Sequence, residues 1–100
     1  MPFIIYAGVK YRQVRHAIYC KKCMSTIESR HPRDFKVCSC GSVGVDGGTA
    51  DGNHILGDWR DMENRSMYVA EVGGKRIWLP QDINDEHFKA LHFVRLYKGL

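Results

Sequence analysis

The stretch Cys20-Lys-Lys-Cys23, followed by Cys38-Ser-Cys40-Gly41, holds all four cysteines of the chain in two tight pairs separated by fourteen residues. Zinc binds four thiolates tetrahedrally, and two short cysteine turns joined by a loop of this length bring four sulfurs around one ion. Gly41 permits the tight turn that the one-residue spacer of the second pair requires. The pattern predicts one structural zinc ion on Cys20, Cys23, Cys38 and Cys40.

Cysteines in two pairs are also compatible with an iron–sulfur cluster, a redox dithiol or a pair of disulfides. Disulfides need an oxidising compartment, and the start Met1-Pro-Phe lacks the basic and long apolar regions of a secretory signal. A zinc ion with four protein ligands has no free position for water or substrate. We therefore expect the metal to hold the fold together and look elsewhere for function.

The chain is short, with 100 residues. Such a chain forms one domain with a limited core, so a bound metal ion that links distant parts of the chain adds substantially to its stability. No segment reaches the roughly eighteen apolar residues of a membrane helix. We expect a single soluble domain over residues 1–100 that works in the cytoplasm.

The net charge of +4 is unevenly distributed. Residues 1–40 have eight Lys or Arg against two acidic residues, whereas residues 41–66 have an acidic excess of three. Four thiolates on one zinc ion lower the total by about 2. The basic part permits contact with nucleic-acid phosphates, but it has few of the interleaved aromatic residues that favour single-strand binding. Solvated surface charge is the simpler interpretation, and nucleic-acid binding stays an alternative.

Alternating apolar residues predict two antiparallel hairpins. Residues 3–6 pair with residues 13–19, which lead to the first cysteine pair. The clearer hairpin covers residues 67–79, with Gly73-Gly74 as its two-residue turn. In this register Glu71 lies opposite Arg76 and Val69 lies opposite Trp78, and the buried face carries Tyr68, Ala70, Ile77 and Leu79.

A C-terminal helix is predicted at residues 84–98. Asn84 is the expected N-cap, two acidic residues follow it in the first turn, and Gly99 marks the end. Residues 91–97 also alternate in a way that is compatible with a final strand. The predicted fold class is therefore small α+β, with antiparallel hairpins around a metal site and a C-terminal helix.

Polar residues in the irregular middle of the chain form a weak catalytic candidate. His31, Asp34, Asp46 and His54 offer imidazoles and carboxylates for acid–base work or a second metal. Asp and Gly together also make turns, because Asp accepts backbone amides and Gly allows a left-handed φ. Turn formation is the simpler interpretation.

The residues around the cysteines form an ordered set: Tyr19-Cys-Lys-Lys-Cys23, Ile27-Glu-Ser-Arg-His31, Asp34-Phe35, Cys38-Ser-Cys-Gly41 and Val45-Asp-Gly-Gly48. Over residues 18–48 this set resembles a small zinc-ribbon-like domain found mainly in proteins of bacteriophages and their hosts. The family has no assigned activity, so the resemblance implies an origin and a metal site. Met24 departs from the pattern, in which a glycine commonly follows the second cysteine. Residues 49–100 are not covered.

A closed metal site without a nucleophile constellation favours an interaction protein over an enzyme. Large aromatic and arginine side chains carry most binding energy at protein interfaces. The candidate partner-binding residues are Arg30, Arg33, Trp59, Arg60 and Trp78. For the two tryptophans, packing into the core is the alternative.

The expected function is that of a zinc-stabilised factor of phage or mobile-element type that binds a host protein and modulates a host process. Inhibition of a defence system in the cytoplasm of the bacterial host is one concrete form, and it rests on the resemblance alone. Two alternatives are a nucleic-acid binder that uses the basic residues 1–40 and a hydrolase that uses the His and Asp residues of the middle segment.

Overall fold

The computed structural model describes the backbone of residues 2–98 and the side chains of residues 2–90. The strands are β1 Phe3–Tyr6, β2 Val9–Cys20, β3 Ser25–Ser29, β4 Lys36–Val37, β5 Gly44–Asp46, β6 His54–Leu56, β7 Met62–Asn64, β8 Met67–Val72 and β9 Lys75–Trp78. A 3-10 turn, Trp59–Asp61, precedes β7, and the helix α1 is Gln81–Lys98. The predicted combination of antiparallel sheets and one C-terminal helix is confirmed.

Strand β2 is the centre of the larger sheet. Its first half lies between β1 and β8, and β9 completes the order β1-β2-β8-β9. Its second half pairs with β3 and with β7. A bulge at Val14, where the register with β8 shifts between Gln13 and Arg15, separates the two halves. A bulge bends and twists its strand. One end of β2 therefore pairs within the two hairpins, and the other end places Cys20 near the remaining three cysteines.

The N-terminal hairpin joins β1 to β2 as predicted, although β2 begins four residues earlier than expected. Ala7 and Gly8 form the turn with φ values of 52° and 76°. Positive φ at both central residues is the type I′ geometry that matches the twist of paired strands.

The second hairpin, β8 with β9, has the predicted register. Glu71 lies opposite Arg76 and Val69 opposite Trp78. Ala70 and Leu79 are buried on the inner face, with Tyr68 and Ile77 packed against them. Val69 is also buried, although it lies on the outer face together with the exposed Trp78.

Helix α1 begins at Gln81, three residues before the predicted start. The prediction that Asn84 caps the helix is wrong: its amide donates to the Pro80 carbonyl as the first helical hydrogen bond, and its side chain is buried. The backbone of residues 91–97 is helical, which excludes the strand alternative. Gly99 lies outside the described residues. Within those residues no helix is long and apolar enough to cross a membrane.

Two buried clusters hold the elements together. One lies between β2, the smaller sheet β4-β5-β6 and α1, and it includes Ile18, Cys20, Cys38, Val43, Val45, Met62 and Phe88. The other lies on the inner face of the larger sheet and includes Ile4, Tyr11, Ala70 and Leu79, with Ile83 of α1 packed on it. The cysteines are thus part of the first core.

Candidate metal centre and neighbouring loops

The two cysteine pairs lie in tight turns at the ends of strands. Cys20 is the last residue of β2, and Cys23 follows within the turn that leads to β3. This turn closes with a hydrogen bond of 2.8 Å from the Met24 amide to the Cys20 carbonyl, and Met24 has a φ of 56°. Cys38 follows β4, and the Gly41 amide donates to its carbonyl over 2.9 Å.

The four sulfur atoms form one compact group. All four Sγ atoms lie within 4.8 Å of one another, and Sγ of Cys40 lies 3.7 Å from that of Cys20 and 3.6 Å from that of Cys38. Four sulfurs at about 2.3 Å from a central zinc ion stand about 3.8 Å apart in a tetrahedron. These separations are far too long for disulfide bonds. The predicted ligands therefore have the spacing and chemistry of a site for one metal ion.

Local hydrogen bonds favour a thiolate at Cys23 and at Cys38. The pKa of Cys20 is instead raised to about 11, because the backbone hydrogen bond from Cys23, which lowers this pKa, is outweighed by burial together with the side-chain hydrogen bonds of Cys23 and Cys40. The Val43 amide donates to Sγ of Cys38 over 3.4 Å. The Ser25 hydroxyl lies 2.9 Å from Sγ of Cys23. Hydrogen bonds from Ser25 and then Ser39 lower the pKa of Cys23 to about 5. A thiolate, not a thiol, is the metal ligand, so these neighbours prepare the site for a cation.

Burial and ligand count limit what the site can do. Cys20 and Cys38 are buried in the core, Cys23 is half-buried and Cys40 is exposed. With four thiolates around one ion, every tetrahedral position is filled by protein. With an ion bound, the four cysteines would join strands at one end of β2 and leave no tetrahedral position for a reacting water or substrate.

The loop between β3 and β4 uses Asp34 to close on itself. Oδ2 of Asp34 accepts the Arg30 amide over 2.8 Å and lies 3.4 Å from Nζ of Lys36. The hydrogen bond from Arg30 and the neighbouring Lys36 lower the pKa of Asp34. His31, in the same loop, is exposed. Asp34 therefore has a structural role in this loop.

The smaller sheet positions Asp46 and His54 opposite each other on β5 and β6. The His54 side chain is exposed, and its carbonyl lies 2.9 Å from Nε2 of the buried His16. Within residues 2–90, the cysteines are the one group of His, Cys, Asp or Glu ligands close enough to share an ion. The structure therefore does not join His31, Asp34, Asp46 and His54 into a metal-binding cluster.

A buried polar network around His16 was not predicted from the sequence. Nδ1 of His16 lies 3.4 Å from Nε2 of Gln13, whose Oε1 accepts from Asn53 over 2.7 Å. Asn53 also donates to the Gly48 carbonyl over 2.9 Å. Burial lowers the pKa of His16, with opposing contributions from the His54 and Asp46 backbone and the Asp46 charge. The sequence contains one indication that His16 is buried: it lies two residues before Ile18 in β2, so both side chains lie on the same face of the strand.

The five predicted partner-binding residues lie at three separate places. Arg30 and Arg33 are exposed on the loop between β3 and β4. Arg60 is bound to Asp58 with an Nη2 to Oδ2 distance of 2.7 Å, and this pairing lowers the pKa of Asp58 to about 2. Trp59 is half-buried against the core, and Trp78 is 48% exposed on β9. They do not form one continuous patch.

A groove of about 720 Å³ lies between α1, β7 and the 3-10 turn. Its apolar lining includes Trp59, Met62, Met67 and Phe88. Its charged lining consists of Arg15, Lys21, Arg65, Lys89, Glu63 and Asp85. Glu63 is paired with Arg65 at 2.6 Å. Of the five predicted partner residues, Trp59 is the one that lines this groove.

A family model described as a domain of unknown function, DUF7695, matches residues 12–51. The matched segment runs from the middle of β2 to the loop after β5, so it contains the four cysteines and the residues that carry the sequence resemblance. It excludes the second hairpin and α1. No curated protein and no solved structure matches the chain.

Proposed function

We propose that this protein is a small zinc-stabilised binding protein that acts by contacting another protein and not by catalysis. The main support is the location of the thiolate group, which is built into one core and has four ligands for one ion. A site of this kind stabilises a scaffold and leaves the surface free for recognition. No catalytic role is assigned to His31, Asp34, Asp46 or His54.

Zinc is the proposed metal because of the ligands. Four thiolates in a tetrahedral group suit zinc or iron, whereas calcium and magnesium require oxygen ligands. Zinc has no redox chemistry and needs no further ligand, which agrees with a site embedded in packing residues. We therefore assign one structural zinc ion to Cys20, Cys23, Cys38 and Cys40.

The proposed partner site is the groove beside α1. Its volume lies in the range of pockets that accept a ligand or a partner side chain. Met67 at its edge is 39% exposed and Trp59 is half-buried, so both retain apolar surface for a partner to cover. Arg15 is paired with Glu28 at 3.1 Å and Arg65 with Glu63 at 2.6 Å. Lys21 and Lys89 against Asp85 then leave a small positive excess, which favours an acidic partner segment with apolar side chains.

The biological setting of this proposal rests on the resemblance of residues 18–48. On that basis we propose a protein of phage or mobile-element type that works in the cytoplasm of a bacterial host. Its partner is then a host protein, and inhibition of a defence system is one concrete form of the activity.

Paired substitutions on β8 test the partner site. Met67→Glu places a carboxylate at the groove, whereas Val72→Glu places one on the same strand outside it, at a position that is 47% exposed. The metal-loaded proteins are immobilised, incubated with bacterial lysate and compared by quantitative mass spectrometry. We expect one partner to be depleted about tenfold by Met67→Glu, a loss of about 1.4 kcal/mol, and retained by Val72→Glu.

Two results contradict the proposal. One is recovery of no protein above background by the wild type. The other is a partner that both variants retain equally, because its contact surface then lies outside the groove.

A further inference from the structure

The outer face of the larger sheet carries a row of four residues from four neighbouring strands. Phe3 of β1 lies opposite Arg12 of β2, Arg12 opposite Val69 of β8, and Val69 opposite Trp78 of β9. Phe3 and Trp78 are each 48% exposed. Because neighbouring strands are about 4.8 Å apart, the backbones at Phe3 and Trp78 stand about 14 Å apart across the sheet.

Cations lie between and beside these rings. Lys10 lies opposite Ile5 on the same face, and its Nζ is 4.1 Å from the centre of the Phe3 ring. Arg76 lies opposite Glu71 in the neighbouring pair of the second hairpin. Arg12, Lys10 and Arg76 therefore provide three positive charges on this face against the one carboxylate of Glu71.

The Glu71 carboxylate offsets one of these three charges, but it binds Arg12 only weakly. Arg12 and Glu71 are 3.4 Å apart, and their side chains are 43% and 59% exposed. Exposed ion pairs of this kind contribute about 0 to 1 kcal/mol. An anionic ligand can therefore replace Glu71 as the partner of Arg12, and Lys10 can turn from the Phe3 ring to the same ligand.

We propose that this outer face binds single-stranded nucleic acid. Unpaired bases stack on exposed aromatic rings, and the cations between the rings bind the phosphates that join those bases. A duplex keeps its bases stacked on each other and offers them no access to Phe3 or Trp78. The separation of β1 from β9 leaves room for the sugar–phosphate backbone to cross Arg12 between two stacked bases.

Nucleic acid fits this face better than a protein partner does. Protein hot spots place an aromatic side chain in a desolvated pocket. Phe3 and Trp78 instead stand on an open sheet surface, and neither the groove nor the small cavity beside His16 includes them. The proposal is independent of the protein-binding groove, because Phe3, Lys10, Arg12 and Trp78 do not line it.

Fluorescence anisotropy with a labelled single-stranded oligothymidine tests the proposal on the metal-loaded full chain. With three phosphate contacts, affinity is expected to fall about 20-fold between about 50 and 200 mM salt. Phe3→Ala and Trp78→Ala are each expected to weaken binding by about tenfold or more, since stacking on one ring contributes about 1 to 3 kcal/mol. The labelled duplex of the same length is expected to bind much more weakly.

Phe35→Ala is the matched control, because Phe35 is 53% exposed and lies away from the outer face. It should bind as the wild type does, and the melting temperatures of all variants show that they are folded. Trp59→Ala, which alters the groove without changing the charge of the outer face, should also retain oligonucleotide binding, and this separates the proposal from the protein-binding groove.

Three outcomes overturn the proposal. One is no binding of the single strand at about 50 mM salt, where phosphate contacts are strong. Another is equal affinity for duplex and single strand, which would show that binding depends on charge and not on base stacking. The third is that the wild type does not bind the oligonucleotide but captures a protein that Trp78→Ala fails to capture. This result would show that the outer face binds a protein.

Discussion

Ser29 and Gly48 connect the loop before β4 to the turn after β5. The Ser29 hydroxyl donates to the Asp34 carbonyl and accepts the Gly48 amide at 2.8 Å, while the Gly48 backbone lies against His31. The residues around the cysteines therefore include the contacts that pack two loops together. The sequence identified these residues as an ordered set, but the Ser29 to Gly48 contact spans 19 residues and depends on the fold.

Substitution of Gly48 tests this loop contact. A Cβ at Gly48, where φ is +54°, meets the His31 carbonyl carbon at 2.7 Å, whereas at Gly52, with φ of +77°, it meets nothing within 4 Å. We expect Gly52→Ala to cost about 1 kcal/mol for its backbone alone and Gly48→Ala at least about twice that. Urea unfolding measures both, and equal costs would show that the close approach to His31 is unimportant.

Met24 has a left-handed backbone conformation in the first cysteine turn. The resemblance places a glycine after the second cysteine, and the structure gives Met24 a φ of 56°. A left-handed conformation is costly for a residue with a Cβ. A glycine at this position would adopt the same backbone conformation without that cost.

Met24→Gly is expected to stabilise the protein by about 0.5 to 1 kcal/mol, because the left-handed cost exceeds the entropy that glycine gains in the unfolded chain. Met24 is 75% exposed, so little packing is lost. Met24→Ala is the control, since alanine keeps a Cβ at the same φ. Urea unfolding measures the stability of both variants. If Met24→Ala stabilises the protein as much as Met24→Gly does, the left-handed backbone conformation is not the reason for the gain.

His16 makes stability depend on pH. Its pKa is lowered from 6.5 by burial among Gln13, the His54 carbonyl and Asp46. The unfolded chain therefore binds the proton more readily, so the stability contributed by His16 is present above pH 6.5 and is lost as pH falls through the lower folded pKa.

His16→Gln tests this sign, because glutamine does not titrate. Between about pH 7.5 and 5.5 the wild type should lose more unfolding free energy than His16→Gln. Protonation of the thiolates affects both proteins alike, so it cancels in the comparison. If the unfolding free energies of the two proteins change equally with pH, protonation of His16 is not the cause of the pH dependence.

At the scale of elements, local patterns predicted the second hairpin but not the start of α1. The Gly73-Gly74 turn and strict alternation set the register of β8 and β9, because these signals act between neighbours in sequence. Asn84 has the chemistry of an N-cap, yet its side-chain amide binds Asn64 and Ser66, which are far away in sequence. The capping pattern could not show these competing partners.

Asn84 is expected to hold α1 to the larger sheet. Its Oδ1 accepts from Asn64 over 2.7 Å and its Nδ2 donates to the Ser66 carbonyl over 2.8 Å. Asn84→Ala leaves two buried groups without partners and should cost about 2 to 4 kcal/mol. The exposed Glu86→Ala should change stability by less than about 0.5 kcal/mol. Similar urea midpoints for the two variants would contradict this role.

At the scale of the whole molecule, pairing between distant strands creates surfaces that the sequence does not display. The row from Phe3 to Trp78 joins distant parts of the chain, and it exists because β8 pairs with β2. The cations of residues 1–40 lacked interleaved aromatic residues in sequence, but the fold places Trp78 in one row with Arg12. Of the predicted site residues, the four cysteines are the ones that the structure brings together, and their spacing in the sequence alone predicts that they converge.

We expect the proposed metal site to determine stability at this scale. The chain has two modest buried clusters, and the first one contains Cys20 and Cys38. Small domains have a net stability of about 5 to 15 kcal/mol, which is similar to the free energy with which structural zinc binds its thiolates. Loss of the ion should therefore remove the cooperative fold.

Thermal unfolding with and without the metal is the most direct test of the structural role of the cysteine site. Metal analysis of the purified protein should give one zinc ion per chain, and the chelated protein should lose its cooperative transition, because the four thiolates then no longer connect β2 to the loop after β4. Added zinc should restore the transition. A metal-free protein that melts cooperatively at the same temperature as the zinc form would contradict this role.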